Sequence, residues 1–316
     1  MGTGARAITL RFLAAPTDVA FLGGSAVAGG RVLEWIDKAA YACAVGWSGG
    51  YCVTAYVGNV NFSRPISSGE LVEARAVLVH TGRSSMHIEV TVASADPLDG
   101  RYSPATSCTV IFVAVGDGGR PREVPPWVPA TPDDRARDAA AADKIALRRD
   151  IEAAMKEQTY TGDSTAATAT LQFLAAPSDV NWGGKTHGGT VMRWIDEAAY
   201  VCAAGWTGGK AIAAYSGGIR FYAPILIGDL VQVTARLIYT GRSSMHISVH
   251  VRSGDPRETK RRLTTHCLTV FVALDTDGRP TPTPRWAPST AEDIRLDTHA
   301  RHLMELRSRL SPVHPS

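Results

Sequence analysis

The sequence predicts an α+β fold used twice in tandem. Two observations carry this. Stretches of the chain recur at a fixed spacing, and within each copy one helix-period segment is followed by several strand-period segments rather than by alternating helices and strands. FLAAPTDV at 12–19 returns as FLAAPSDV at 173–180, and WIDKAAYACAVGWSGG at 35–50 returns as WIDEAAYVCAAGWTGG at 194–209. TGRSSMH occurs unchanged at 81–87 and 240–246, and GRP closes each copy at 119–121 and 278–280. From Asp37 and Asp196 onward the copies stand 159 residues apart, and the slip lies just upstream, where FLGGSAVAGG matches WGGKTHGG.

The elements follow in order. A short apolar strand opens each copy, at Ile8–Leu13 and Ala169–Leu174. A Gly-Gly turn then leads into a helix of roughly five turns, stopped by glycine near Gly49-Gly50 and Gly208-Gly209. Period-two alternation marks strands at Leu71–His80 and Met86–Val92, and again at Leu230–Tyr239 and Met245–Val251, each pair joined by TGRSS. An apolar strand at Cys108–Val115 or Cys267–Leu274 completes the copy. Between the copies, PREVPPWVPATPDD leads into a polar helix, 133–157, with Thr131 as N-cap and Pro132 at its first position. A second such helix, 290–310, follows PRWAPSTAED, and both read as surface helices on the outside of a sheet. The expected domains are 1–121, a linker with helix at 122–165, 166–288, and a C-terminal helix and tail at 289–316.

Composition narrows the function. The chain has 316 residues, 45% apolar, enough for two cores of ordinary size. A net charge of +3 without a basic stripe argues against nucleic acid as a partner. MGTGARAITL is too polar for a secretory leader, and no apolar run reaches the ~20 residues of a membrane span. Five cysteines without CxxC spacing suggest neither disulfides nor zinc, so a cytoplasmic setting is expected.

One residue type is out of place. Asp196 shares a helical face with Met192, Ala199 and Tyr200, and Asp37 lies between Leu33 and Tyr41. Arg193 at i−3 offers Asp196 an ordinary partner, whereas Asp37 has Glu34 there. A carboxylate among apolar neighbours without a local cation is the setting of a general base or nucleophile, so Asp37 is the stronger candidate.

The Gly-Gly of each turn supplies a second ingredient. Helix N-termini present unpaired N–H groups, and glycine lets a substrate approach them, as an oxyanion hole requires. Gly188 and Asp196 are about 12 Å apart along the helix axis, at ~1.5 Å per residue, so one carbonyl cannot touch both. A working site therefore needs the Asp of one copy and the turn of the other. The second turn carries Lys185, His187, Gly188 and Gly189, while the first has Ala26 and Ala28 in place of Lys185 and His187. Asp37 with the 185–189 turn is expected to form the competent site, and Asp196 a depleted one.

The Gly-Gly turn, the helix Asp seven residues after the second glycine, and an antiparallel sheet with an SSM turn, all in tandem, resemble the double-hotdog acyl-CoA thioesterases. That resemblance covers most of the chain. It implies two hotdog units, each a long central helix wrapped by an antiparallel sheet, paired side by side. It also implies hydrolysis of acyl-CoA to acid and CoA, with no cofactor beyond the coenzyme A of the substrate and no metal. In the family an Asp of one repeat works with an Asn in the turn of the other; that Asn aligns here with Lys185 and Ala26. The resemblance further places Arg83, Ser84 and Ser85, or Arg242, Ser243 and Ser244, beside the pantetheine and phosphates of CoA.

Alternatives stay open at this stage. A hotdog hydratase or dehydratase would pair His187 with Asp37, and a non-catalytic acyl-CoA-binding protein would tolerate the departure at Lys185. TGRSS could be a plain hairpin in which Gly82 and Gly241 supply unusual φ. His246 and His250 share one strand face but are read as surface residues without a third metal ligand. Cys43 and Cys202 are read as core, and the absence of GxSxG argues against a serine triad. A homo-oligomer is expected, with a trimer of double-hotdog chains as the form considered, because paired sheets would leave outer faces free.

Overall fold

The computed structural model describes residues 5–20 and 24–309. It divides into two compact units. The first holds the described residues up to Ile145 together with Gly188–Thr190, and the second holds 146–187 and the described residues from Val191 on.

In the first unit the strands are β1 (Ala7–Leu13), β2 (Cys52–Val57), the two-residue β3 (Val60–Asn61), β4 (Leu71–Thr81), β5 (Ser85–Ala95) and β6 (Ser103–Ala114). Their sheet order is β1-β4-β5-β6-β2, antiparallel throughout. Helix α1 (Gly29–Ser48) packs against all five of these strands. Its inward face is small in the middle, with Ala39, Ala40 and Ala44 fully buried, and larger at the ends, with Leu33, Ile36 and Trp47. Small residues let the sheet close on the helix, and register shifts at Leu78/His80, Thr54/Tyr56 and Val92/Ala93 bend it. Gly49 ends α1 at φ 66°, its N–H bonded to Val45 O at 2.9 Å, a left-handed cap that suits glycine.

The second unit repeats this plan. Its strands are β7 (Thr168–Leu174), β8 (Lys210–Phe221), β9 (Leu230–Thr240), β10 (Ser244–Gly254) and β11 (Arg262–Leu274), in the order β7-β9-β10-β11-β8. The first turn of α3 (Gly188–Thr207) clusters with the first unit; the remainder packs here, with Trp194 edge-on to Phe173 at 4.7 Å and Ile195, Ala198 and Ala199 fully buried.

The expected strands are all present, four longer by one residue and four by four or five. The strand directly after each helix, β2 or β8, is additional. The unit boundary falls within the 122–165 segment of linker and helix, inside α2 (Pro132–Glu157). The first half of that helix is tied to the first unit by Arg137–Glu89 at 3.4 Å and His80–Asp138 at 2.8 Å. The second half lies in the second unit, where Ile151 and Met155 cover Gly218, a position whose added Cβ would sit 3.0 Å from Met155 Sδ. Thr131 and Asp134 form a capping box at its start.

Helix α4 (Ala291–Ser308) covers β9, with Arg236–Glu292 at 3.0 Å and Arg301 over the Tyr239 ring. Each sheet therefore carries a helix, as expected of both. This covering also corrects the reading of His246 and His250. His246 is buried, His250 packs on Tyr160 at 4.5 Å and on His266 at 4.0 Å, and burial pushes both imidazoles down to about 3.

Candidate active site

Asp37 is 1% exposed, in the third turn of α1. Its Oδ1 accepts a hydrogen bond from Thr54 Oγ1 at 2.7 Å, and its Oδ2 accepts one from the Gly189 N–H at 2.8 Å. The acidic neighbour at i−3 has a partner of its own: Arg31 donates to Glu34 at 2.5 Å and to the buried Asp18 at 2.6 Å. Asp37 is thus a buried carboxylate that accepts from two fixed donors, a hydroxyl and a backbone N–H.

The approach needs both glycines. A Cβ on Gly188 would lie 2.7 Å from Thr54 Oγ1 and 3.2 Å from Asp37 Oδ1. A Cβ on Gly189 would lie 3.0 Å from the Glu34 Cα. The first turn of α3 meets Asp37, as the spacing along each helix requires, but the division of labour differs from the expectation. The Gly189 N–H is engaged by the carboxylate, so it is not offered to a substrate. Gly188, the first residue of α3, has an N–H without an intrahelical acceptor.

Sequence reasoning missed Thr54. Its strand, β2, follows the Gly-Gly stop directly, and the β-branched and aromatic run CVTAYV was the available signal. The equivalent residue of the second unit is Ala213, which has no hydroxyl, and Asp196 is half-buried where Asp37 is buried. Arg193, expected to pair with Asp196, reaches Glu197 at 2.6 Å. The Asp37 copy is the better-equipped one on both counts.

Asn181 was also passed over. Its Oδ1 accepts from the N–H groups of Gly183 (2.8 Å) and Lys185 (3.1 Å), and its Nδ2 donates to Thr186 O at 3.4 Å. It organises the turn that ends in His187-Gly188-Gly189. The turn therefore does contain an asparagine, four residues before Lys185, where a gapless match to the first copy gives Leu22, outside the described residues. His187 is half-buried, its N–H bonded to Asp179 O and its ring 6.4 Å from that of Trp182. Lys185 is half-buried and bridges Leu226 through its backbone.

The TGRSS turn lies at the same sheet end as Thr54. Thr54 pairs with Phe112 and Phe112 with Met86, so Met86, the residue after Ser85, is two strand spacings, about 10 Å, from Thr54. Arg83 is exposed there, with Ser84 and Ser85 half-buried, and Arg242, Ser243 and Ser244 repeat the pattern in the second unit. Gly82 and Gly241 do not have positive φ. They are glycines because a Cβ would strike Ser85 Oγ at 2.7 Å or Ser244 Oγ at 2.5 Å. The described cysteines are buried, and desolvation raises the Cys43 and Cys202 thiols to about 11, consistent with core roles.

Comparison with known proteins agrees with this picture. The thioesterase superfamily model matches twice, at residues 24–100 and 183–260. The cytosolic acyl coenzyme A thioester hydrolase of Mus musculus is 25% identical over 309 residues, covering 90% of this chain and 79% of its own. Protein VdlD of Helicobacter pylori is 30% identical over 139 residues, covering 44% of this chain and 79% of its own. Among solved structures, a hexameric acyl-CoA thioesterase superposes with a TM-score of 0.45 at 30% identity, covering 47% of this chain and 95% of its own. An acyl-CoA hydrolase from Agrobacterium tumefaciens superposes with a TM-score of 0.35 at 23% identity, covering 89% and 98%. With the domain present twice and relatives aligned along nearly its whole length, the chain belongs to the thioesterase superfamily.

Proposed function

We propose that this protein hydrolyses acyl-CoA thioesters to the free acid and CoA, with water as the only co-substrate and Asp37 as general base. The observation that carries the reading is a carboxylate 1% exposed, held by Thr54 Oγ1 at 2.7 Å and the Gly189 N–H at 2.8 Å. The Asp37 carboxylate takes a proton from water as the water attacks the thioester carbon. The Gly188 N–H receives the charge that develops on the carbonyl oxygen, and collapse of the tetrahedral adduct expels the CoA thiolate. Asn181 positions the turn that carries these groups. Lys185 and the TGRSS arginines, Arg83 and Arg242, are cations suited to the phosphates of CoA, Arg through its planar fork.

Names of relatives that include the word cytosolic support a cytoplasmic setting. Among the described residues no helix is long and apolar enough to cross a membrane. A homo-oligomer remains part of the proposal, to be measured by light scattering.

The test is CoA release from a panel of acyl-CoAs by the wild type, Asp37→Asn and Asp196→Asn. Asp37→Asn is expected to lose about 10²–10⁴-fold in kcat, the usual contribution of a general base, while Asp196→Asn keeps most activity. Unchanged turnover in Asp37→Asn refutes the mechanism. Tight CoA binding without turnover of any thioester would identify a binding protein instead.

A further inference from the structure

Where β5 meets β6, the first unit encloses a guanidinium supplied by its own chain. Arg64 donates from Nη2 to the Ser94 carbonyl at 3.2 Å, to the Ser94 hydroxyl, and to the Ser103 carbonyl at 3.3 Å. Its Nη1 stands 3.5 Å from Glu70 Oε1. The other oxygen of that carboxylate, Oε2, accepts from the Ser94 hydroxyl and the Ser67 N–H. One arginine is thus held by three residues that converge on the end of a hairpin.

The second unit keeps this frame without the arginine. At the matching positions, 159 residues on, stand Ala223 for Arg64, Asp229 for Glu70, Ser253 for Ser94 and Arg262 for Ser103. Ser253 pairs with Arg262 across β10 and β11 as Ser94 pairs with Ser103 across β5 and β6. Asp229 Oδ2 accepts from the Ser253 hydroxyl at 2.8 Å and the Leu226 N–H at 3.1 Å, the same two donors that serve Glu70 Oε2. The cation on the other oxygen is gone. Asp229 is 7% exposed, and among the described residues no side chain forms an ion pair with it, a costly state for a buried carboxylate.

The vacated slot opens into a cavity of about 760 Å³, and its wall includes Asp229, Ser253 and Arg262, all three positions that hold Arg64 in the first copy. Aspartate is one methylene shorter than glutamate, which widens the slot further. The guanidinium of Arg262 does not refill it: that side chain is exposed and donates from Nη2 to the Pro224 carbonyl at 2.7 Å. Above the acidic floor the rim is basic. Arg257 is spent on Asp255 at 2.5 Å, but Lys260 and Arg261 form no ion pair with a described residue, and Arg261 Nε is buried without an acceptor.

We propose that this cavity binds a free amino acid of the arginine type. Its guanidinium lies on Asp229 and the Ser253 and Arg262 carbonyls, as Arg64 lies in the first copy, and its carboxylate faces Lys260 and Arg261. A planar guanidinium fits this floor because the fold already closes around one at the matching place. A simple organic cation satisfies the floor but is repelled by the rim, and an anion meets the reverse, so a zwitterion suits both. The site is built from residues of the second unit alone and does not depend on the role given to Asp37.

The experiment is calorimetric titration of the full chain with arginine, citrulline and Nα-acetylarginine amide, with thermal melts in the presence of each. Arginine is expected to bind at one site per chain and to raise the melting temperature. Citrulline, of the same shape but uncharged, is expected to bind roughly 10–100-fold more weakly, the loss that follows from removing a charge-assisted contact. Nα-acetylarginine amide presents the side chain as a peptide does, without the free carboxylate, and is also expected to be weaker than arginine. Two variants address the slot. Ala223→Arg returns the chain's own guanidinium to it and is expected to abolish binding, while Asp229→Asn keeps its shape and is expected to weaken arginine roughly 10–100-fold. Melts confirm which variants are folded, and either one that is folded serves the test. Absence of arginine binding by the folded wild type, equal affinity for citrulline, equal affinity for the amide, or unchanged binding in a folded variant overturns the proposal.

Discussion

Gly188→Ala is the most discriminating perturbation of the site, because the new methyl group meets the catalytic machinery directly. Its Cβ would lie 2.7 Å from Thr54 Oγ1, where ordinary contact begins near 3.4 Å. Relief requires the Thr54 hydroxyl to retreat by about 0.7 Å, beyond useful hydrogen-bonding range of Asp37. A hydrogen bond to a charged group is worth ~1.5–3 kcal/mol, which corresponds to roughly a 10–100-fold loss of rate if it orients the base. Folding stability should change by less than about 1 kcal/mol, because alanine also restricts the unfolded chain. The coupling is measurable. Thr54→Ala alone should lose the same 10–100-fold, and Gly188→Ala added to it should lose little more, since the hydroxyl it displaces is already gone. The assay is kcat and KM for one acyl-CoA across the wild type, both single variants and the double variant, with thermal melts alongside. Multiplicative losses in the double variant, or a Thr54→Ala enzyme with wild-type kinetics, would refute the argument that Thr54 acts through Asp37.

Two further predictions concern stability. Gly46 and Gly205 are exposed in the interiors of α1 and α3 with open space around them, so alanine at either should stabilise by about 0.5–1 kcal/mol in urea melts. Gly49→Ala, at a left-handed cap, should destabilise. The histidines under α4 set an acid limit. Burial pushes His246 and His250 down to about 3 and His299 to about 4, against an ordinary value near 6.5. Between those limits the unfolded chain binds protons that the native chain does not. Stability therefore rises with pH through that window, is complete above about 6.5, and falls on acidification by up to ~1.4 kcal/mol per pH unit for each imidazole. Urea midpoints between pH 7 and 4 should fall accordingly, and His250→Thr should flatten the slope; a flat profile in the wild type would show that these rings are not excluded from protonation.

Much of the fold was legible because the chain repeats itself. Each strand pair joined by TGRSS and each glycine-stopped helix could be checked against its copy, and α2 and α4 announced themselves through Thr131-Pro132 and Thr290. The strand after each helix was not legible, since CVTAYV and KAIAAYSGGIRF lack clean alternation, and with β2 went Thr54. Asp37 was found from an elementary contradiction, a carboxylate on an apolar helical face with Glu34 at i−3. What the sequence could not reveal was that Arg31 would hold Glu34 and Asp18 together, while Asp37 accepts from Thr54 and Gly189. Nor could spacing show that Gly189 serves the carboxylate rather than the substrate. That distinction depends on a 2.8 Å contact between residues 152 positions apart. The histidines were misread because strand alternation says which residues share a face but not what covers it.

The two copies have diverged in opposite directions, and the differences are consistent with one another. Thr54 faces Asp37 where Ala213 occupies the matching strand position in the second copy, so one aspartate has a hydroxyl donor available from its own sheet and the other has a methyl group. The turn sequences differ the other way: Asn181, Lys185 and His187 belong to the second copy, while the first has Ala26 and Ala28. A duplicated domain that kept both halves of its site in each copy would show the same residues twice. Here the copy with the equipped aspartate has the plain turn, and the copy with the equipped turn has the plain strand. Only the combination of Asp37 and Thr54 with the first turn of α3 collects the full set, so loss of function in either copy alone should abolish the same activity rather than halve it.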